Sequence, residues 1–141
     1  MRFRFEKLEV WQEARKISGS IYRITQKFPQ NETFGMISQL RRAVVSISAN
    51  IAEGSGRNSD KDFAHFLEQA YGSLMEVVSI LFLAADEKYM SKSDLESALG
   101  DLEKLAKRIA ALNRSLSVKT SKTPFPRRNG SALDPRLSTL A

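Results

Sequence analysis

Between Gln39 and Arg57 two periodic stripes share one stretch of chain. Leu40, Ala43, Val44, Ile47 and Ile51 recur at steps of three and four, which gathers them on a narrow arc of an α-helix. Gln39, Arg42, Ser46, Asn50, Glu53 and Arg57 recur at the same steps, about a third of a turn away. Solvated helix faces are mostly Lys and Glu, whereas this second stripe carries guanidiniums, amides, a hydroxyl and one carboxylate. Ala43, Ser48, Ala49, Ala52 and Gly54 leave room beside it for another chain to come close. A helix with one apolar and one hydrogen-bonding face has two neighbours to satisfy: its own bundle and, on this reading, a partner.

The remaining segments repeat the helical period. Leu8, Trp11, Ala14, Ile17, Ile21, Ile24 and Phe28 define a first helix that Pro29 ends, because proline lacks an amide proton and disfavours a helical residue before it. Gly19 inside it suggests a close helix crossing. Asn31 or Thr33 is placed to cap a second helix from about Phe34 to Gly54. Gly54-Ser-Gly-Arg-Asn-Ser59 reads as a glycine stop in a left-handed conformation. Ser59 and Asp62 have capping spacing for a third helix, the most apolar, on which Ile80, Phe82 and Leu83 spill outside the main stripe from Phe63 to Ala85. Excess apolar surface on so short a chain predicts burial against another subunit. Ser91 and Asp94 open a fourth helix with Leu95, Leu99, Leu102, Ala106, Ile109, Leu112 or Asn113, and Leu116 at core spacing. Glu103 and Lys107 are a favourable pair on its outer face, and Lys104 and Arg108 a repulsive one. Four helices with short connections predict an all-α, antiparallel up-down-up-down bundle over residues 1–117.

Beyond Ser117 no period survives, and residues 118–141 hold three of the four prolines. They read as a disordered basic tail whose Lys119, Lys122, Arg127 and Arg128 are candidate phosphate contacts. The net charge of +6 divides unevenly: the tail's five Lys and Arg against one Asp give +4, leaving +2 for residues 1–117. The bundle is therefore close to balanced, which weakens a nucleic-acid reading drawn from total charge alone.

Composition removes most chemistry. The chain has no cysteine and one histidine, so disulfides, thiolate sites and a zinc site of the usual ligands are excluded, and neither metal nor cofactor is expected. A di-iron bundle needs two Glu-x-x-His pairs. His65 is expected to be a partly exposed side chain at a helix start, and Gly54-Ser-Gly56 lacks the spacing of a phosphate loop. An enzyme is not expected. No apolar run approaches the ~18 residues of a membrane span, and the N-terminus lacks a signal-peptide pattern, so a cytoplasmic protein is the expectation. Gln39, Arg41, Arg42, Ser46, Asn50, Glu53 and Arg57 are the candidate contacts, to another subunit or to nucleic acid.

Leu8-x-Val-Trp11-Gln-x-Ala14, Ile21-Tyr22 and Phe28-Pro29 resemble the first helix of the four-helix-bundle family of proteins encoded in 23S ribosomal RNA intervening sequences. Gln39-Leu-Arg-Arg-Ala43, Ser46-Ile-x-x-Asn50-Ile-Ala-Glu-Gly54 and Arg57 extend the match. Phe66-Leu67, Ala70-x-Gly72-Ser73 and Glu76 carry it into helix three. The resemblance covers about residues 3–116. It implies a small bacterial protein similar in fold to the accessory protein of diversity-generating retroelements, which forms a homopentameric barrel and binds nucleic acid and a reverse transcriptase. By that analogy the chain is expected to form a homo-oligomeric ring, a pentamer, with RNA or DNA and a reverse-transcriptase-like protein as candidate partners. Analogy of fold does not fix function. The charge balance favours assembly first and nucleic acid second, with Arg42, Asn50, Glu53 and Arg57 in a hydrogen-bonded contact within or between subunits.

Overall fold

Residues that cannot continue a helix mark each reversal of the chain. The computed structural model describes residues 1–117; residues 118–141, with Lys119, Lys122, Arg127 and Arg128, lie outside the described residues. Helix α1 spans Glu9–Thr25, α2 Ser38–Ser55, α3 Asp60–Asp86 and α4 Lys92–Ser117. Among the described residues the architecture is all-α, with the four helices packed as a bundle.

Capping chemistry fixes the starts. Ser59 Oγ accepts the Asp62 amide at 3.1 Å, and Ser91 Oγ accepts the Asp94 amide at 3.0 Å, each satisfying one of the orphan donors of a first turn. The entry to α2 differs from the expectation. A short 3₁₀ turn at Gln30–Glu32 runs into a wide turn at Thr33–Ile37, and regular helix begins only at Ser38. Neither Asn31 nor Thr33 caps it: Glu32 accepts the Met36 amide at 3.1 Å, while the Thr33 hydroxyl donates to the Gln30 carbonyl at 2.6 Å. A carboxylate reaches one residue further than an Asn or Thr side chain, so the cap falls on the longer group. At the N-terminus Glu6 accepts the amides of Phe3 and Arg2 at 2.6 and 2.7 Å, and the Phe3 bond foremost holds its carboxyl below the usual value.

Cross-helix contacts show how the elements run. Ser46 meets Ser73 and Gly54 meets Phe66, so α2 and α3 are antiparallel. Arg41 reaches Thr25, and Ser18 lies against the Val44 carbonyl, so α1 and α2 are antiparallel as well. Asn113 donates to the Ala64 carbonyl at 3.0 Å, setting α4 against α3. An ion pair between Glu13 and Arg108 joins α4 to α1 and closes the circuit. Arg108, expected to clash with Lys104, instead finds its acid on another helix. Glu103 and Lys107 pair at 3.0 Å as expected.

The apolar arcs meet in one core that includes Ile21, Leu40, Ile47, Ile51, Leu67, Leu74, Leu81, Leu102 and Ile109. Each such side chain contributes about 1.5–3 kcal/mol by leaving water. Leu105, absent from the expected seam of α4, is fully buried, while Leu99 and Leu112 are only half-buried. Asn113 is the buried member of the Leu112–Asn113 pair, held by its bond to Ala64. By length and composition α3 could cross a membrane, because a helix tolerates charges at its margins that break an uninterrupted apolar run. Its apolar character is answered by the core, where Phe63, Leu67, Ala70, Leu74, Val77, Leu81 and Ala84 are buried.

The two glycines singled out in the sequence do different work from that expected. Gly54 lies inside α2, buried, and no glycine among the described residues has a positive φ. A Cβ on Gly54 would stand 2.7 Å from Phe66 Cβ and 3.0 Å from Phe63 Cδ1. The glycine is there to let α3 approach. Gly19 is at no helix crossing, since the nearest atom to an added Cβ is the Arg23 guanidinium at 3.3 Å. Opposite outcomes follow for the same substitution: Gly54→Ala lowers stability by about 1–3 kcal/mol through overpacking, whereas Gly19→Ala raises it by about 0.5–1 kcal/mol through helix propensity. Urea unfolding of both variants, read at unchanged m-value, measures the two signs.

Candidate interaction face

The polar stripe of α2 does not stand alone. Antiparallel packing lays it beside Phe66, Ser73 and Glu76 of α3, and the two helices together make one face. At its centre the Ser46 hydroxyl accepts from Ser73 Oγ at 2.9 Å and from Asn50 Nδ2 at 3.0 Å, while Asn50 also donates to the Ser46 carbonyl at 2.8 Å. These bonds need small residues on both helices, which is why Ser is met by Ser here. Further along, Arg57 donates to Glu53 at 3.0 Å and its guanidinium lies 4.6 Å from the Phe66 ring centroid. Both side chains of that pair remain about half exposed. Toward the other end, Gln39, Arg42, Ser46, Ser73 and Glu76 line a polar groove of about 330 Å³. Arg42 makes a single bond there, to Ser38 Oγ at 3.2 Å.

Six of the seven candidate contacts therefore share one face: Gln39, Arg42, Ser46, Asn50, Glu53 and Arg57. Arg41 does not. One position along a helix turns a side chain by about 100°, and Arg41 points to α1, where Nε donates to Thr25 Oγ1 at 2.9 Å and the guanidinium lies 4.6 Å from the Tyr22 ring. It joins α1 to α2. The α3 residues Ser73 and Glu76 were visible in the sequence only as part of the family string, because their own helix gives no sign of which neighbour they will meet.

Internal satisfaction decides what this face can do. Arg57, Asn50 and Ser46 already hold partners, so a phosphate would have to displace bonds rather than fill vacancies. His65 is exposed, 3.0 Å from Gln69 Nε2 and edge-on to Phe66, and among the described residues no group of three His, Asp or Glu could hold a metal ion.

An antiparallel helical bundle with a small-residue, hydrogen-bonded stripe on its second helix is the class that fold and face define. The family model for the 23S rRNA-intervening sequence protein matches residues 6–111. The chain belongs to that family. A solved structure of similar fold is a protein with unknown function from the S23 ribosomal protein family from Bacteroides thetaiotaomicron, 24% identical, with a TM-score of 0.70 over 74% of this chain and 98% of that one. No protein with a curated description matches. Neither match names a catalytic activity.

Ser46→Ala removes the acceptor of the Ser73 hydroxyl and one of the two acceptors of Asn50, which keeps the Ser46 carbonyl, and lowers stability by about 1 kcal/mol. Thermal or urea unfolding of Ser46→Ala beside Ser48→Ala, a position outside the network, separates this from a generic cost of losing a hydroxyl.

Proposed function

We propose that this chain is a non-enzymatic, homo-oligomeric four-helix-bundle protein that serves as a nucleic-acid-binding accessory protein, with RNA the first ligand to consider. The observation that carries assembly is apolar surface left on α3. Met75, Phe82 and Leu83 are 36%, 49% and 53% exposed. Met75 and Phe82 line, with Tyr71, Val78, Leu99 and Ala106, a groove of about 480 Å³ between α3 and α4. Contiguous apolar surface rimmed by polar groups marks a contact site, and here the rim carries the Glu103–Lys107 pair. This groove and the α2–α3 polar face are different surfaces. A head-to-tail contact that joins two different surfaces generates a ring when its rotation closes. Five copies is the number suggested by the likeness to the retroelement accessory protein, and a reverse-transcriptase-like partner follows from the same likeness.

Nucleic-acid binding is supported by the family's connection to ribosomal RNA intervening sequences and by the basic character of the chain. One observation favours a second reading, a structural or protein-interaction bundle without nucleic acid. On the α2 face Arg57 is paired with Glu53 and Asn50 with Ser46, and residues 29–117 hold ten Lys and Arg against twelve Asp and Glu, a net −2.

Light scattering on the full chain, with the 260/280 absorbance ratio of unstripped material, tests both halves. Met75→Glu with Phe82→Glu should reduce the mass to that of a monomer, while Arg42→Glu with Arg57→Glu should weaken assembly without unfolding the bundle. A wild-type chain that runs as a clean monomer defeats assembly. An oligomer that never retains or binds nucleic acid supports the second reading.

A further inference from the structure

Charge is not spread evenly over the described bundle. Residues 1–28 hold seven Lys and Arg against three Asp and Glu, a net +4, while residues 29–117 are net negative. Two of the three acids are already engaged: Glu6 by the amides of Phe3 and Arg2, and Glu13 by Arg108 of α4. Arg15, Lys16, Arg23 and Lys27 are exposed and enter no ion pair among the described residues. The apolar arc of α1, Val10, Ala14, Ile17 and Ile21, is buried, so Arg15, Lys16 and Arg23 occupy the side of α1 turned away from the core, and exposed Lys27 follows in the turn after it. A cleft of about 860 Å³ runs along that side, lined by Trp11, Arg15, Lys16, Gly19, Ser20 and Arg23, with the carboxylates of Glu6 and Asp101 also on its lining. Two details hold the cations in place. The Arg15 guanidinium lies 5.5 Å from the Trp11 ring centroid, and Arg23 donates to Ser20 Oγ at 3.3 Å across the space that a side chain at Gly19 would take.

We propose that the outward face of α1 is the phosphate-binding surface of this protein and that its ligand is the sugar–phosphate backbone of a nucleic acid. The proposal rests on the nucleic-acid reading above and places it on residues other than the α2 stripe and the tail. Lys16 and Arg23 lie on one side of α1 with a rise of about 10 Å between them, about one Debye length at 0.1 M salt, and Lys27 follows in the turn just past the helix, its amide donating to the Ile24 carbonyl at 3.2 Å. A row of separated cations matches a ligand whose charge repeats about every 3.4 Å along a strand. The chain's own tail does not fit, because at +4 it would be repelled. A membrane surface fits poorly, since the apolar arc of α1 is consumed by the core and none remains to insert.

Fluorescence anisotropy of the full chain, stripped of nucleic acid at high salt, against a labelled RNA hairpin and the matching DNA hairpin over a range of KCl concentrations tests this. The test variant is Lys16→Gln, Arg23→Gln, Lys27→Gln, with Lys16→Arg, Arg23→Lys, Lys27→Arg as the charge-keeping control. Circular dichroism confirms that each folds. The expected result is that the neutral variant loses about tenfold or more in affinity and that its log–log salt slope falls by about two to three. The charge-keeping variant should bind like wild type, and Lys61→Gln, Lys92→Gln, which removes two exposed cations of other helices, should keep the wild-type slope. Equal binding by the neutral variant and wild type overturns the α1 assignment while leaving nucleic-acid binding standing. So does loss of all binding in Lys119→Gln, Lys122→Gln, Arg127→Gln, Arg128→Gln with α1 intact. A changed mass for the neutral variant by light scattering overturns it in favour of a subunit contact, and tighter binding to phosphatidylserine vesicles than to either hairpin overturns it in favour of a membrane. A wild-type chain that binds neither hairpin overturns the nucleic-acid reading itself.

Discussion

The close approach of α2 and α3 is the constraint on which the rest depends. It is permitted at one end by the missing side chain of Gly54, which lets Phe66 sit against the α2 backbone, and fixed in the middle by Ser46 and Ser73. Because α2 and α3 hold together on small residues, their outer surfaces merge into one shared face. The hydrogen-bonded stripe, the Arg57–Phe66 contact and the polar groove below Arg42 all sit on that merged surface. Moving α3 outward by the width of one methyl group would separate Ser73 from Ser46 and dissolve the face.

The same economy of small residues divides the molecule's surfaces by chemistry. The α2–α3 face is polar but self-satisfied, the α3–α4 groove is apolar, and the outer side of α1 is cationic. Total charge conceals this division, because the net −2 of residues 29–117 cancels half of the +4 on residues 1–28. A protein can be nearly neutral over its folded part and still present a cationic row, since the interaction with a polyanion is governed by charges within about one Debye length of it.

Much of the architecture was legible because it depends on period. Steps of three and four identify four helices, and Ser59 and Ser91 mark two helix starts that the structure places at those residues. The family string over residues 39–57 was legible too. What failed were features that depend on what faces what. Gly54 reads as a turn glycine in one dimension and proves to be a packing glycine in three, because its neighbour Phe66 comes from another helix. Gly19 was read as a crossing and lies under a flexible arginine. Arg41 was grouped with Arg42 by adjacency although the helical turn sends them to different neighbours. Leu105 was passed over and is fully buried. The candidate face itself was half visible, α2 carrying the pattern and α3 supplying partners that no period on α3 announces.

Asn113 carries a consequence for the register of the bundle. Its bond to the Ala64 carbonyl at 3.0 Å is made in a fully buried setting, where no water can substitute, so α4 cannot slide along α3 by even one residue without stranding a polar group. The end of α4 is thereby pinned at the end of the bundle where α2 finishes and where Arg4 donates to the Ser55 carbonyl. A single buried amide thus keys the axial position of α4 to the start of α3, a register that apolar packing, being non-directional, would leave less sharply defined.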